Sequence, residues 1–265
     1  MIDIQTHNKL REQYNPDNSS LRQYQIHLID VLKDFDKICK EIGVEYWLSQ
    51  GTVLGAVRHR GFIPWDDDVD VEMTYANYKK FCKSFVESEK YALQTIHNDK
   101  HYTLPFAKFR EKGITINDSN SIISSYYKYR GPFIDIFYSE YRLKSVSKII
   151  NKFYIGAASL KIRFGVNFIT NILSSILKNC GELLANIARY AFKGLPLKKY
   201  GLGYGSHFYE VESNYSDIFP LSSIEFESVF FPAPNNCDGY LKKIYGDYMS
   251  LPKDVERKTH INTNS

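Results

Sequence analysis

A chain of 265 residues with 43% hydrophobic composition can bury one substantial core. Its 34 basic and 30 acidic residues leave a net charge of +4, too small to argue for nucleic-acid binding through bulk attraction. Cys39, Cys82, Cys180 and Cys237 form no Cys-x-x-Cys pair and are too sparse for a secreted disulfide scaffold, so reduced thiols are expected. Met1 to His7 lacks the basic and apolar regions of a signal peptide, which predicts a cytoplasmic location.

Leu21, Tyr24, Leu28, Leu32, Phe35, Cys39 and Ile42 recur at three- and four-residue intervals and predict a long helix ending near Gly43. Val44 to Leu48 reads as a short strand entering Ser49-Gln50-Gly51-Thr52, with a helix starting at Val53. Such a junction offers free backbone N–H groups, a small hydroxyl and a glycine where a phosphate can approach closely. In the run Trp65-Asp66-Asp67-Asp68-Val69-Asp70-Val71, strand alternation would place Asp66, Asp68 and Asp70 on one face and turn Val69 and Val71 into the core. An isolated acidic run is usually a solvated turn. Beside a phosphate-binding junction, these mutually repelling carboxylates point instead to a hard divalent cation, Mg²⁺ or Mn²⁺.

Downstream, Tyr75, Tyr78, Phe81 and Phe85 predict a second helix, and strands are expected at 91–94, 104–110, 114–116 and 133–137. Asp135 lies between Ile134 and Ile136, where a carboxylate is costly unless a metal, a hydrogen bond or edge exposure compensates it. Lys108 and Arg110 share one face of their strand, and Arg58 and Arg60 bracket His59; such cations suit phosphate oxygens. Trp65 is a candidate to stack on a base or to meet a quaternary ammonium group, with core packing as the alternative. His97 and His101 have the spacing of a zinc pair on a helix, but Asn98 and Asp99 between them suggest a loop, and no third ligand stands nearby.

Residues 145 to about 195 mix Lys148, Lys152, Lys161, Arg163, Lys178 and Arg189 with apolar runs. Their longest uncharged run, Phe164 to Leu177, is shorter than the roughly 18 residues that span a bilayer. Two readings stay open: a helical insertion covering the core, or amphipathic helices in peripheral contact with a membrane.

Gly51-Thr52 followed by Asp68-Val69-Asp70-Val71 resembles the nucleotidyltransferase superfamily signature. The longer string Leu54 to Asp70 is similar to the LicD family, which includes bacterial phosphocholine transferases and resembles the fukutin-type phosphoribitol transferases. Gly131-Pro132-Phe133-Ile134-Asp135-Ile136-Phe137 and Tyr240 to Tyr248 extend the match, so that it covers most of 21–145 and 215–260. The resemblance implies an α+β fold, a nucleotidyltransferase-like mixed sheet with flanking helices and a helical insertion. One domain over 1–265 is expected, with a catalytic core at about 21–145, the insertion at about 145–200 and the segment 201–265 packing back on the core.

By the same resemblance, Asp66, Asp68, Asp70 and Asp135 would hold Mg²⁺ or Mn²⁺, with Asp68, Asp70 and Asp135 catalytic. Asp135 would also accept the proton of the acceptor hydroxyl. Gly51 and Thr52 would cradle the donor pyrophosphate, with Arg58, Lys108, Arg110 and Trp65 completing the substrate site. The implied reaction moves a phospho-alcohol, foremost phosphocholine, from a CDP-activated donor to a hydroxyl of a cell-surface glycan or glycolipid, releasing CMP. Precursors of lipopolysaccharide, teichoic acid or capsule are the implied acceptors, at the inner face of the cytoplasmic membrane. Two alternatives remain: transfer of the nucleotide itself with release of pyrophosphate, and a non-catalytic glycan-assembly subunit. The second predicts damaged carboxylates.

Overall fold

In the computed structural model, which describes residues 2–116, 122–195, 200–257 and 259, two capped helices lead the chain. Asp3 accepts from the Thr6 N–H to start α1 (Ile4–Tyr14), and Ser19 accepts from the Arg22 N–H to start α2 (Ser20–Ile42). Gly43, at φ +70°, ends α2 by donating its N–H to the Cys39 and Lys40 carbonyls. The predicted apolar stripe of α2 faces inward: Leu28, Leu32, Phe35 and Cys39 are buried.

The sheet forms from β1 (Trp47–Leu48), β2 (Asp70–Thr74), β3 (Tyr91–Gln94), β4 (Ala107–Glu111), β5 (Phe133–Tyr141) and β6 (Tyr200–Leu202). Its order is β1-β2-β5-β4-β3, with β6 pairing β5 beyond the stretch that β5 shares with β4. β2 and β5 run parallel and the other pairs antiparallel, so the sheet is mixed, as expected. Between β1 and β2 lies α3 (Gln50–His59), and α4 (Tyr75–Ser84) follows β2. Alternation sorts the two faces. Val71, Met73, Phe109, Ile134 and Ile136 are buried, and Phe109 meets Phe35 of α2 with ring centroids 5.4 Å apart. The other face carries Asp70, Glu72, Lys108, Arg110 and Asp135.

Several expected boundaries move. β4 begins at Ala107, after Pro105, which cannot donate to a ladder. Ile114 to Ile116 is not a strand: Gly113 at φ +82° turns the chain away, and among the described residues only Ile116 N–H reaches across, to the Arg130 carbonyl at 2.9 Å. β5 runs four residues past Phe137 because β6 pairs with its far end. α3 starts at Gln50, three residues before the expected Val53, with Gln50 itself at φ +44°.

Two long helices, α5 (Lys144–Phe164) and α6 (Phe168–Ala191), form an antiparallel hairpin between β5 and β6. A reciprocal cap joins Asn167 and Thr170 at the start of α6. No helix among the described residues is long and apolar enough to cross a membrane. After β6 and the one-turn helix α7 (Tyr215–Ile218) comes the hairpin of β7 (Ser222–Phe226) and β8 (Val229–Ala233). Its two-residue turn, Glu227–Ser228, has φ +51° and +62°, the mirror-image geometry that suits hairpin twist. Glu227 holds the turn against the core by accepting two bonds from Arg22, at 2.9 and 2.7 Å, and one from the Phe62 N–H. α8 (Cys237–Tyr245) then packs on α3.

Candidate active site

Parallel pairing of β2 with β5 puts Asp70 beside Asp135, and antiparallel pairing of β5 with β4 puts Asp135 beside Lys108. The three side chains therefore stand in a row across neighbouring strands. Asp68 joins them from the extended segment leading into β2, and one oxygen from each of Asp68, Asp70 and Asp135 lies within 4.8 Å of the others. All three could reach a single divalent cation.

Asp66 arrives differently from the expected strand alternation. Strand geometry begins only at Asp70; a turn at Ile63-Pro64-Trp65-Asp66, closed by Asp66 N–H donating to the Ile63 carbonyl at 2.9 Å, swings Asp66 in. It stands against Gly51, where an added Cβ would lie 3.1 Å from Asp66 Oδ2 and 3.7 Å from Asp70 Oδ2. Among the described residues the three-carboxylate group does not include it. Val69 and Val71 are fully buried, as the alternation requires.

Electrostatically the cluster is frustrated. Burial first, and then the neighbouring Asp68 charge, raise the Asp66 and Asp70 carboxyls well above the usual range. Asp135 is raised by burial, against the pull of Lys108, whose Nζ sits 2.5 Å from Asp135 Oδ1. Burial in turn lowers Lys108, which also lies 3.5 Å from the centre of the Phe133 ring.

The residues expected to cradle phosphate are engaged with the chain itself. Gly51 N–H donates to the Asp70 carboxylate, and Thr52 Oγ1 accepts from the Asp70 N–H at 2.8 Å. Both lie in the first turn of α3, so they hold Asp70 in place. Arg110 donates to Gln94 Oε1 at 2.6 Å and to the Gly131 carbonyl at 2.8 Å. Arg58 donates to the Tyr248 carbonyl at 2.9 Å and, through Nε, to His59 Nε2 at 3.0 Å. Burial brings the Arg58 guanidinium down to about 10 and His59 to about 3, so the imidazole is neutral. Arg60 is exposed, left-handed at φ +61°, and ends α3.

Beside Asp68 and Asp70 opens a cleft of about 580 Å³. Gly51, Arg58, Trp65 and Asp66 form one wall, and Tyr245 to Pro252 with Glu256 the other. Trp65 is buried, meets Tyr14 edge-on at 5.3 Å, and has the Arg257 guanidinium 5.1 Å from its ring centre. A cation–π contact is thus made there by the chain's own arginine. His97 and His101 do not pair: His97 bonds Glu182 at 3.1 Å, while His101 faces Tyr126.

Residues 43–169 match the model of the LicD/FKTN/FKRP nucleotidyltransferase domain. Over that span, just under half of its length, the chain is similar to the LicD family. Over 267 aligned residues it is 29% identical to a lipopolysaccharide cholinephosphotransferase LicD of Haemophilus influenzae, covering 91% of this chain and 96% of that protein. Shorter matches reach the ribitol-5-phosphate transferase FKTN of mouse, 36% identical over 26% of this chain and 15% of that one. Human ribitol 5-phosphate transferase FKRP is 53% identical over 13% of this chain and 7% of its own.

The LicD-type domain contains Asp66, Asp68, Asp70, Asp135 and the residues around them, whereas the wall from Tyr245 to Glu256 lies beyond it. One buried carboxylate on the same sheet face escaped the sequence reading. Glu72 continues the alternation of Asp70, receives bonds from Ser139 and from Tyr240 at 3.0 Å, and is pushed by burial up to about 7. Its signal was present in the period of two that singled out the aspartates. Tyr245 was missed as well; burial, then Asp70, Asp66 and Asp68, raise its phenol.

Proposed function

We propose that this protein transfers a phospho-alcohol, foremost phosphocholine, from a CDP-activated donor to a hydroxyl of a cell-surface glycan, releasing CMP. The observation that carries the reading is the convergence of Asp68, Asp70 and Asp135 from separate segments of a LicD-type domain. Similarity to a named cholinephosphotransferase along nearly that protein's whole length supports the choice of alcohol and a lipopolysaccharide-type acceptor.

Mg²⁺ or Mn²⁺ fits the site on two grounds. The donor set is all carboxylate oxygen, and the Asp66 and Asp70 carboxyls, raised first by burial and then by the neighbouring Asp68 charge, form a buried acidic group that a cation would relieve. Asp66, Asp68, Asp70, Asp247 and Glu256 also line the cleft, with Arg58 as its basic residue, so a diphosphate would meet net repulsion there. A bound divalent cation supplies the positive charge that phosphoryl transfer requires.

The chain's own groups divide the remaining work. Asp68, Asp70 and Asp135 hold the cation, with Asp66 supporting from the edge. Gly51 and Thr52 fix Asp70, and Lys108 pairs with Asp135 through its Oδ1. Asp135 then accepts the proton of the incoming hydroxyl. Trp65 and Tyr245 offer ring surface to the donor.

Purified protein incubated with Mg²⁺, a glycan acceptor and CDP-choline, CDP-ribitol or CDP-glycerol is expected to release CMP in step with acceptor modification. An acceptor gaining a whole nucleotide, with pyrophosphate released from a nucleoside triphosphate, would replace this reading with nucleotidyl transfer.

A further inference from the structure

The α5–α6 hairpin is amphipathic in the reverse sense. Its buried positions are largely polar or small: Ser147, Asn151 and Lys161 on α5, and Thr170, Ser174, Lys178 and Gly181 on α6. Lys161, 0% exposed, donates to the Lys100 carbonyl at 2.8 Å, and Lys178, 2% exposed, to the Tyr102 carbonyl at 2.7 Å. These lysines stitch the hairpin to the core and are turned away from solvent. By contrast Phe168, Ile172, Ile176, Leu183, Ile187 and Tyr190 form one outward stripe of α6, with Phe168 79% and Tyr190 84% exposed. The charged residues of α6 are Lys178, Glu182 and Arg189. Lys178 is buried, while Glu182 pairs with His97 and Arg189 with Glu140 across the inner side. A helix facing water carries its charge outward and its apolar stripe inward. Here the pattern is opposite over 24 residues.

We infer that this outer face of α5–α6 rests on an anionic lipid bilayer, with α6 lying along the interface and its apolar stripe inserted shallowly. The choice of occupant rests on charge. Lys148, Lys152, Arg163 and Lys193 are exposed around the stripe, and residues 144–195 contain a single acidic residue, Glu182. A second copy docking the same face would bring these cations together, whereas anionic headgroups neutralise them while acyl chains receive the stripe. Insertion is shallow because no helix among the described residues can span a bilayer. This inference is independent of the catalytic reading, and its test needs no turnover.

The native tryptophans Trp47 and Trp65 are both buried, so a Phe168→Trp variant places a new reporter on the stripe. Its emission is expected to shift to the blue with vesicles containing phosphatidylglycerol, and the wild-type protein to pellet with them at low salt. Changing Ile172, Ile176, Leu183 and Ile187 together to Gln should weaken binding by roughly tenfold or more without altering circular dichroism. Changing Lys148, Lys152, Arg163 and Lys193 to Gln should remove the preference for anionic over neutral vesicles. Failure of the wild-type protein to bind phosphatidylglycerol vesicles at low salt overturns the inference. So does a dimer, measured by light scattering, that the four Gln substitutions on α6 convert to monomer, since the stripe would then be a self-interface.

Discussion

At the scale of single residues, Asp70 and Asp135 differ in a way that stability measurements can separate. Asp70 suffers burial and the nearby charges of Asp68 and Asp135, so Asp70→Asn relieves repulsion and is expected to raise the melting temperature without metal. Asp135 is the counter-ion of a buried ammonium. Asp135→Asn strands Lys108 and should destabilise the fold by about 3 kcal/mol. Both variants should lose roughly 100-fold or more in CMP release, and Mg²⁺ should raise the melting temperature of the wild type but not of Asp70→Asn. Scanning calorimetry with and without metal checks the signs; equal shifts in both variants would refute the assignment of Lys108 as the counter-ion. Strand period made Asp68 and Asp70 visible in the sequence, and an apolar setting marked Asp135. The Lys108–Asp135 pair was not visible, because it depends on the register of β4 against β5, which no local pattern encodes.

At the scale of elements, the hairpin is attached mainly by polar bonds, and those bonds should respond to pH. Burial lowers Lys161 and Lys178 from 10.5 to about 8. Above pH 10.5 neither the folded nor the unfolded chain carries these charges, so burial costs nothing. As pH falls, the unfolded chain takes up protons that the folded chain resists, and the cost is complete below pH 8. Stability therefore rises from pH 8 towards 10 on account of these lysines. Lys178→Met should flatten that rise by about 1–2 kcal/mol relative to wild type, after allowance for partial solvation. Urea unfolding at the two pH values measures it, and identical slopes would mean that the Lys178 ammonium is hydrated. The comparison between proteins cancels the opposing ionisation of buried tyrosines. Sequence period located α2 and α4 well, because their apolar stripes face a single core. It misplaced the start of α3 because Gln50 adopts a left-handed conformation that residue type does not announce.

At the scale of the whole molecule, two buried clusters differ greatly in extent. The larger runs from Leu10 to Tyr248 and includes β2, β4 and β5; the smaller holds Ile150, Tyr154, Ala185, Ala188 and Tyr204. Opening α5–α6 therefore exposes little apolar surface compared with opening the sheet. Amide exchange in the hairpin is expected to exceed that of β2, β4 and β5 by roughly 100-fold in solution. Equal protection of both would show a single cooperative unit.

By itself the sequence determined the chemistry available and most of its local placement. The acidic run, the apolar setting of Asp135 and the stripe of α2 are written in periods of two and of three to four residues, which act within one element. Tertiary structure decided what those residues do to one another. Gly51 and Thr52 read as open phosphate donors until packing of α3 beside β2 committed them to Asp70. Arg58 and Arg110 read as substrate ligands until distant carbonyls claimed their guanidinium groups. The basic residues of 145–195 looked alike in the sequence, yet the fold buries Lys161 and Lys178 and exposes Lys148 and Lys152. In each case a long-range contact selects the partner of a polar group, and its free energy depends on burial and geometry that one segment alone cannot specify.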